Sequence, residues 1–154
     1  MIRLARPSDA KAVAAIYGPV VASTAISFET EVPSDEEMER RIVSALTYAP
    51  WLVWEENNDI AGYVYASRHR DHATYQWSVD VTTYTHEDYR RQGIGRALYV
   101  ALFDLLRLQN FHRAHAGITL PNAASVGLHE SLGFRPVGVY PSVGFKLGSW
   151  HDVR

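Results

Sequence analysis

The sequence predicts a single α/β domain of the α+β kind, with a mixed, mostly antiparallel central sheet flanked by helices. Short alternating runs rich in β-branched residues indicate strands, and apolar residues three or four positions apart indicate amphipathic helices. The predicted order is β-α-α-β-β-β-α-β-α-β-β, in which some strands follow one another in hairpins and others are joined through helices. A chain of 154 residues is long enough to bury a core, so we expect residues 1–154 to form one domain.

Each element rests on a local pattern. Ser8 and Asp9 are suited to cap the first helix, which Gly18 and Pro19 interrupt, and Ser34 with Glu37 forms a capping-box pattern before the second. Strands are predicted at residues 2–5, 51–56, 60–67, 74–85, 112–118, 134–140 and 143–150. Helices are predicted at residues 10–22 with that interruption, 34–46, 94–109 and 121–132, the last ending at a left-handed Gly133.

The run from Tyr84 to Leu98 is the most informative stretch, because it joins a predicted strand to an amphipathic helix. Gly93 and Gly95 let a ligand approach the backbone closely, and the start of a helix leaves N–H groups free and carries partial positive charge. Full positive charges come from Arg90, Arg91 and Arg96. The stretch therefore predicts a site for a phosphorylated ligand such as a pyrophosphate, with a glycine-relieved turn and solvated arginines as the alternative.

Composition and charge narrow the functional classes. The formal net charge is −2, which argues against a nucleic-acid binder that relies on broad phosphate attraction. The chain has no cysteine, so disulfides, thiolate metal sites and a cysteine nucleophile are excluded. No apolar run approaches membrane-spanning length and no signal-peptide pattern opens the chain, so we expect a cytoplasmic protein without a membrane partner.

The pattern Arg90-x-x-Gly93-x-Gly95, between strand and helix, resembles the acetyl-CoA pyrophosphate loop of the GNAT N-acetyltransferase superfamily. The runs at residues 75–80, 120–134 and 144–152 resemble the phosphinothricin acetyltransferase subfamily. That subfamily acetylates the α-amino group of phosphinothricin, methionine sulfoximine, methionine sulfone or related small amino acids. The resemblance implies acetyl-CoA as cosubstrate and a homodimer. Two positions depart from the subfamily, which usually has Glu in place of Asp80 and commonly Arg in place of His72.

The resemblance also implies which residues hold acetyl-CoA. Backbone groups at the end of the central strand would pair with the pantetheine arm, and the loop would hold the pyrophosphate. Asn122 would hydrogen-bond the cofactor amides with help from Ser131, although an asparagine after proline also suits a helix N-cap. The predicted cofactor-binding residues are Thr83, Tyr84, Thr85, Arg90, Arg91, Gln92, Gly93, Ile94, Gly95, Arg96, Asn122 and Ser131.

Acetyl transfer to an amine requires that the ammonium form first lose a proton. Asp80 stands where the family has its carboxylate base, and since aspartate is ordinarily a weak base, burial or a water relay would be needed. The alternative is a hydrogen-bonded structural acid. His129 stands where many family members have a proton-donating tyrosine, and it can give or take a proton near neutrality, unless it is merely packed. Without cysteine, the acetyl transfer is expected to be direct.

A small amino acid needs apolar walls and a cation for its carboxylate. Phe28, Tyr75 and Trp77 are the candidate walls, and Arg70, His72 and Lys146 are the candidate cations. The spacing of His69 with His72, and of His112 with His115, does not place two ligands on one metal, so no metal is expected. Two other functions stay open: acetylation of a peptide or protein amine, and binding of acetyl-CoA without catalysis.

Overall fold

The computed structural model describes residues 1–154 and contains seven strands and four α-helices. In chain order they are β1 (Ile2–Leu4), α1 (Ala10–Ser23), α2 (Asp35–Leu46), β2 (Trp51–Glu56), β3 (Asp59–Arg68), β4 (Ser78–Thr85), α3 (Ile94–Leu108), β5 (Arg113–His115), α4 (Ala123–Ser131), β6 (Tyr140–Lys146) and β7 (Ser149–Val153). The order of strands and helices is the predicted one. None of the helices combines the length and apolar character needed to span a membrane.

The chain divides into two compact units, one made of Met1–Ile16 and Pro33–Ala116 and the other of Tyr17–Val32 and Gly117–Arg154. The first unit contains a sheet in the order β1-β2-β3-β4-β5, in which only the β4–β5 pair is parallel. The second contains the antiparallel β6–β7 pair and helix α4. The mixed, mostly antiparallel fold class is confirmed.

Helix α3 supplies much of the core of the first unit. Its residues Leu98, Tyr99 and Leu102 recur at helical spacing and are fully buried, as is Val79 of β4. Burying a side chain of this size contributes about 1.5–3 kcal/mol relative to exposure. This packing fixes the start of α3 relative to the end of β4, which is where the predicted cofactor loop lies.

A 3-10 turn at Pro7–Asp9 leads directly into α1, and the Asp9 carboxylate binds groups that precede the helix instead of the N–H groups of its first turn. It accepts two hydrogen bonds from the Arg3 guanidinium, at 2.8 and 2.9 Å, and one from the Arg6 N–H at 2.7 Å. Burial by itself would raise the pKa of Asp9, but the bonds from Arg3 and Arg6 outweigh it and hold this pKa below its ordinary value. Arg3 also pairs with Glu55, so one guanidinium ties the N-terminus to β2.

The predicted extent of the first helix to residue 22 is confirmed, but its interruption at Gly18–Pro19 is wrong, since α1 runs through Pro19 to Ser23. Proline removes one N–H donor, but the turns that follow still close. The N–H of Thr24 donates to the Val20 carbonyl at 3.2 Å, and the Ser23 hydroxyl donates to the Pro19 carbonyl at 2.7 Å. The Ser34 cap of α2 is confirmed, because its hydroxyl accepts the Glu37 N–H at 3.2 Å.

The central strand starts later than predicted, at Ser78 instead of residue 74. The preceding residues form a short 3-10 turn at Ala73–Tyr75. In it the N–H of Tyr75 donates to the His72 carbonyl at 2.9 Å, and the N–H of Gln76 donates to the Ala73 carbonyl at 3.1 Å. The β-branched and aromatic residues favoured a strand here. Their side chains are exposed and the segment has no neighbouring strand to pair with, so it forms a local turn instead.

Strand β5 is also shorter than the predicted 112–118, since only three of its residues pair with β4. The residues that follow use their backbone groups elsewhere: Ile118 exchanges hydrogen bonds with Arg154, at 2.8 and 2.9 Å, and Leu120 donates to Asp152 at 2.9 Å. The β4–β5 ladder therefore stops at the pair Asp80–His115. Beyond it, no strand pairs with Val81–Thr85 on the side away from β3.

The final hairpin is shifted along the chain relative to the prediction. Its strands are Tyr140–Lys146 and Ser149–Val153, and residues 134–139 are irregular instead of extended in a sheet. The turn lies at Leu147 and Gly148, with φ of 52° and 77°. A two-residue turn with both φ positive matches the twist of the strands, but Leu147 is an unusual residue for it, so the sequence does not reveal it.

Candidate active site

The predicted cofactor loop opens helix α3 as expected. Gly93 is its N-cap residue with φ of 80°, in the left-handed region that glycine adopts most readily. A Cβ built at Gly93 would meet no atom within 4 Å, so the backbone at the helix start is open. The side chains of Arg90, Arg91 and Arg96 around it are exposed. The arrangement offers free N–H groups and positive charge to an anion.

The end of β4 offers a second binding element next to this loop. Thr83, Tyr84 and Thr85 pair with β3 on one side and with no strand on the other. Gly62 of β3 makes this packing possible, because a Cβ there would lie 3.0 Å from the Tyr84 carbonyl oxygen and 3.2 Å from Ile94. An unpaired strand edge can accept amide groups of an extended ligand.

Together these two elements fit acetyl-CoA by the chemistry of their donors. Thr83, Tyr84 and Thr85 would hold the amides of the pantetheine arm along the strand edge. The loop from Arg90 to Arg96 would hold the pyrophosphate with N–H groups and guanidinium charge. When bound, the cosubstrate supplies an acetyl group activated as a thioester.

Asp80 lies on β4 at the point where the parallel ladder ends, and its carboxylate has a partner that the sequence did not suggest. The Oδ1 atom lies 2.7 Å from Nδ1 of His69. A carboxylate at neutral pH only accepts hydrogen bonds, so Nδ1 carries the proton and donates it. The side chain of Asp80 is 43% exposed and that of His69 is 22% exposed, so the pair is accessible from solvent.

His115 completes a cluster on this face of the sheet. Its ring stacks on the ring of His69, with centroids 4.4 Å apart and planes inclined by 25°. Its Nδ1 is buried and makes no hydrogen bond. Donor atoms of His69, Asp80 and His115 lie within 4.8 Å of one another, a grouping that the sequence spacing of the histidines did not reveal.

Two predicted substrate residues lie against this cluster. The ring of Tyr75 meets the ring of His69 edge-on, at 5.7 Å between centroids, and the Arg70 guanidinium lies 5.8 Å from the Tyr75 ring centroid. His72 and Trp77 are exposed near the same turn, Trp77 by 54%. Arg70, Tyr75 and Asp80 are thus connected through His69.

In the second unit, Asn122 caps helix α4, where its side-chain oxygen accepts the Ser125 N–H at 3.1 Å. The N-cap alternative is therefore confirmed, and a role toward the cofactor stays a prediction. The exposed Ser131 donates to the Leu128 carbonyl at 2.7 Å.

His129 of α4 is 6% exposed and has a defined tautomer. Its Nδ1 lies 2.7 Å from the Ser125 carbonyl, which can only accept, so Nδ1 carries the proton and Nε2 is an acceptor in the neutral ring. Phe134 packs edge-on against the ring at 5.1 Å. Burial lowers the pKa of His129 below the ordinary histidine value, although the bond to Ser125 opposes this effect. Burial therefore favours the neutral ring, in which Nε2 is an acceptor.

The structure does not support Lys146 as a substrate cation. Its side chain is buried, with 7% of the residue exposed, and Nζ donates to the carbonyls of Val21 and Ser27 at 2.7 Å each. These bonds give the ammonium a structural role. Phe28, a predicted pocket wall, is 41% exposed and lies over Gly144, where a Cβ would come within 2.3 Å of its ring.

Sequence reasoning missed His69 and His115. Their association depends on the sheet register, in which Asp80 faces Ser67 of β3 and His115 of β5. His69 follows directly after β3, and its ring reaches the Asp80 carboxylate. The antiparallel pairing of β3 with β4, extended past the end of β3, could have indicated that His69 lies beside Asp80. The parallel pairing of β4 with β5 is only three residues long, so no comparable sequence signal places His115 there.

A family profile for the acetyltransferase (GNAT) domain matches residues 2–154. The chain therefore belongs to the GNAT acetyltransferase family, as the glycine loop predicted. Among curated proteins it is 38% identical to phosphinothricin N-acetyltransferase of Streptomyces coelicolor, over 94% of this chain and 87% of that protein. It is 35% identical to the L-methionine sulfoximine/L-methionine sulfone acetyltransferase of Salmonella typhimurium, over 99% of this chain and 90% of that protein.

The fold also matches a solved structure that contains the expected cosubstrate. The crystal structure of a phosphinothricin acetyltransferase from Sinorhizobium meliloti in complex with acetyl-CoA superposes with a TM-score of 0.95 at 30% identity. The match covers 99% of this chain and 84% of that chain. The subfamily resemblance is confirmed by these relatives.

Proposed function

We propose that this protein transfers the acetyl group of acetyl-CoA to the α-amino group of a small amino acid or analogue of the phosphinothricin, methionine sulfoximine or methionine sulfone type. The observation that carries the proposal is the junction of β4 and α3, where an unpaired strand edge leads into a glycine-capped helix start surrounded by arginines. The relatives that resemble the chain over nearly all of its length support the same substrate class.

In this proposal the chain binds acetyl-CoA through two groups of residues. Thr83, Tyr84 and Thr85 provide backbone groups at the strand edge, and Arg90 to Arg96 provide charge and N–H groups for the pyrophosphate. Asn122 and Ser131 of α4 are further proposed contacts. No metal is required, because the thioester is already activated.

The amine must be deprotonated before it can attack, and Asp80 with its hydrogen-bonded surroundings is the proposed site of that step. His129 is the second proposed acid–base residue. Its proposed role is to give a proton to the sulfur that departs, and a lowered pKa makes its imidazolium form a stronger proton donor for that step. No cysteine is available, so transfer is direct.

The proposed substrate contacts are apolar and cationic. Phe28, Tyr75 and Trp77 offer partly exposed aromatic surface, and Arg70 and His72 offer exposed nitrogen groups for the substrate carboxylate. A carboxylate bound by such a cation would distinguish a free amino acid from an internal peptide residue.

We further propose that residues 1–154 act as one domain and that the protein is a cytoplasmic homodimer. Support for the dimer comes from the β6–β7 hairpin, whose large apolar side chains are strongly exposed. They include Tyr140 at 63%, Val143 at 52%, Phe145 at 59%, Leu147 at 61% and Trp150 at 65%. Apolar surface of this kind is typical of association sites.

A thiol-release screen tests the function. The purified chain is given acetyl-CoA with phosphinothricin, methionine sulfoximine, methionine sulfone, the common amino acids and short peptides. We expect release of CoA with one or more of the small amino acids. Release with peptides alone would make the protein a peptide N-acetyltransferase, and tight acetyl-CoA binding without transfer to any amine would make it a binding module.

A further inference from the structure

We propose that His69 is the general base that deprotonates the amine, and that Asp80 orients and stabilises it instead of acting as the base itself. This inference rests on the proposed function. In the step, an N–H bond of the substrate ammonium breaks and an N–H bond forms at Nε2 of His69. The positive charge moves from the ammonium to the imidazolium, and the imidazolium later releases its proton to solvent.

The hydrogen bond between His69 and Asp80 defines the roles of the two groups. Nδ1 donates to Oδ1 at 2.7 Å, which leaves the lone pair of the neutral ring on Nε2, and this atom makes no hydrogen bond within the protein. A carboxylate at Nδ1 stabilises the imidazolium that forms when Nε2 takes a proton. Aspartate alone is a weak base at neutral pH, whereas an imidazole ordinarily titrates near pH 6.5, about where a general base works best.

The position of His69 also fits a role in catalysis. It follows β3 directly and lies on the face that carries Asp80, at the end of the β4–β5 ladder where the open edge of β4 begins. Tyr75, which also contacts Arg70, meets its ring. His69 therefore lies between the proposed substrate residues and the carboxylate.

The surroundings of His69 bear on its protonation. From β4 it faces Asp80, from β5 it faces the stacked ring of His115, and from the 3-10 turn it faces Tyr75 with Arg70 on that ring. A rate that depends on the free imidazole should fall as the pH is lowered and His69 becomes protonated.

His69→Asn is the decisive variant, because the amide nitrogen of asparagine can still donate to Asp80 while the proton acceptor is lost. We expect kcat at pH 7 to fall about 10²-fold, the usual scale for loss of a general base, with acetyl-CoA affinity by calorimetry unchanged. Raising the pH should partly restore the rate, because more substrate amine is then already neutral. The matched control is His112→Asn, an exposed histidine, which should keep the wild-type rate and pH profile.

A second readout does not depend on activity. In protein labelled with ¹⁵N-histidine, the NMR signals of His69 should show a proton on Nδ1 and a free Nε2 at neutral pH. In Asp80→Ala, which removes the acceptor at Nδ1, His69 should lose its preference for the Nδ1-protonated tautomer. Equal tautomer populations in both proteins would overturn the assignment.

The outcomes separate this inference from the proposed function. If the wild-type protein acetylates an amine and His69→Asn has a kcat close to the wild-type value, the base role is overturned and the proposed function is intact. A wild-type protein that acetylates no amine overturns both. Tight Zn²⁺ binding by calorimetry that is lost in His69→Asn, with loss of activity in EDTA, would show that the cluster holds a metal and would also overturn the proposal.

Discussion

Gly93 and Gly148 have nearly the same backbone conformation but different surroundings in the chain. Their φ values are 80° and 77°, and a Cβ at either position would meet no atom within 4 Å. A side chain at either position would therefore strain the backbone, but its Cβ would not clash with a neighbouring atom. What differs is that Gly93 begins helix α3 in the proposed cofactor loop, whereas Gly148 is in the β6–β7 turn. Substitutions at the two positions therefore distinguish the effect of backbone strain from the effect of blocking a ligand.

We predict that Gly93→Val weakens acetyl-CoA binding tenfold or more, about 1.4 kcal/mol, because the side chain occupies the space that the pyrophosphate needs. Calorimetry on the folded variant measures this. Gly148→Val imposes the same strain and should bind acetyl-CoA like the wild type. Equal losses in both variants would attribute the effect to strain and remove Gly93 from the binding site.

Gly144 differs from Gly93 and Gly148, because the space that a side chain would need is occupied by the ring of Phe28. A Cβ there would lie 2.3 Å from Cε2 and 2.4 Å from Cζ of Phe28. We predict that Gly144→Ala displaces Phe28, destabilises the protein by about 1–3 kcal/mol as overpacking does, and raises KM for the amine. Urea denaturation and kinetics test both effects.

The Phe28→Ala background supplies the control for this prediction. With the ring removed, Gly144→Ala should cost little further stability, so a double-mutant cycle should show strong coupling between the two positions. Additive costs would mean that the ring of Phe28 does not occupy this place in solution.

At the residue scale, the sequence identified Asp80 but not its neighbours. The family resemblance implied a carboxylate on the central strand, and Asp80 does lie on β4. The proximity of His69 and His115 arises from pairing across three strands, which no local pattern encodes. Lys146 was misjudged for a similar reason, since only the fold reveals the carbonyls of Val21 and Ser27 that surround it.

Helix α4 makes a pH effect on stability predictable at the scale of one element. The pKa of His129 is lowered in the folded protein, so folding favours the neutral ring. As the pH falls below about 6.5, the ordinary histidine value, the unfolded chain takes up this proton first and the free energy of unfolding falls. The loss continues until the pH passes below the folded-state pKa.

We predict that urea denaturation shows lower stability at pH 5.5 than at pH 7.5, and that His129→Gln reduces this difference. The reduction follows because glutamine does not titrate. His112→Gln, at an exposed position, should leave the pH dependence as it is in the wild type. If the two variants behave alike, the burial of His129 does not control its protonation.

The presence and type of each helix and strand were predicted better than the residues at which it begins and ends. Residues 51–56 form β2 as predicted, and Gly133 follows α4 with φ of 88°, because local signals mark these positions. The ends of β4 and β5 and the position of the last hairpin were misplaced. There the outcome depends on which distant segment takes the backbone hydrogen bonds, as when Arg154 pairs with Ile118.

At the scale of the molecule, association is the property to test. We predict that light scattering at micromolar concentration gives a mass twice that of the 17.3 kDa chain. Trp150→Glu, in the exposed hairpin where Trp150 contacts Phe145, should shift the protein to the monomer because it buries a charge in the interface. Leu108→Glu, at a residue that is 79% exposed on α3, should remain a dimer.

The early end of the β4–β5 ladder has a consequence for hydration. Peptide groups at an unpaired edge must be satisfied by water while no ligand is bound. A cosubstrate that docks along Val81–Thr85 exchanges those waters for its own amides, so the net enthalpy of the exchange is small and the released waters add a favourable entropy. Binding at this strand edge is therefore readily reversible. The edge can hold a long, flexible ligand during the reaction, and water can hydrate it again when the product leaves.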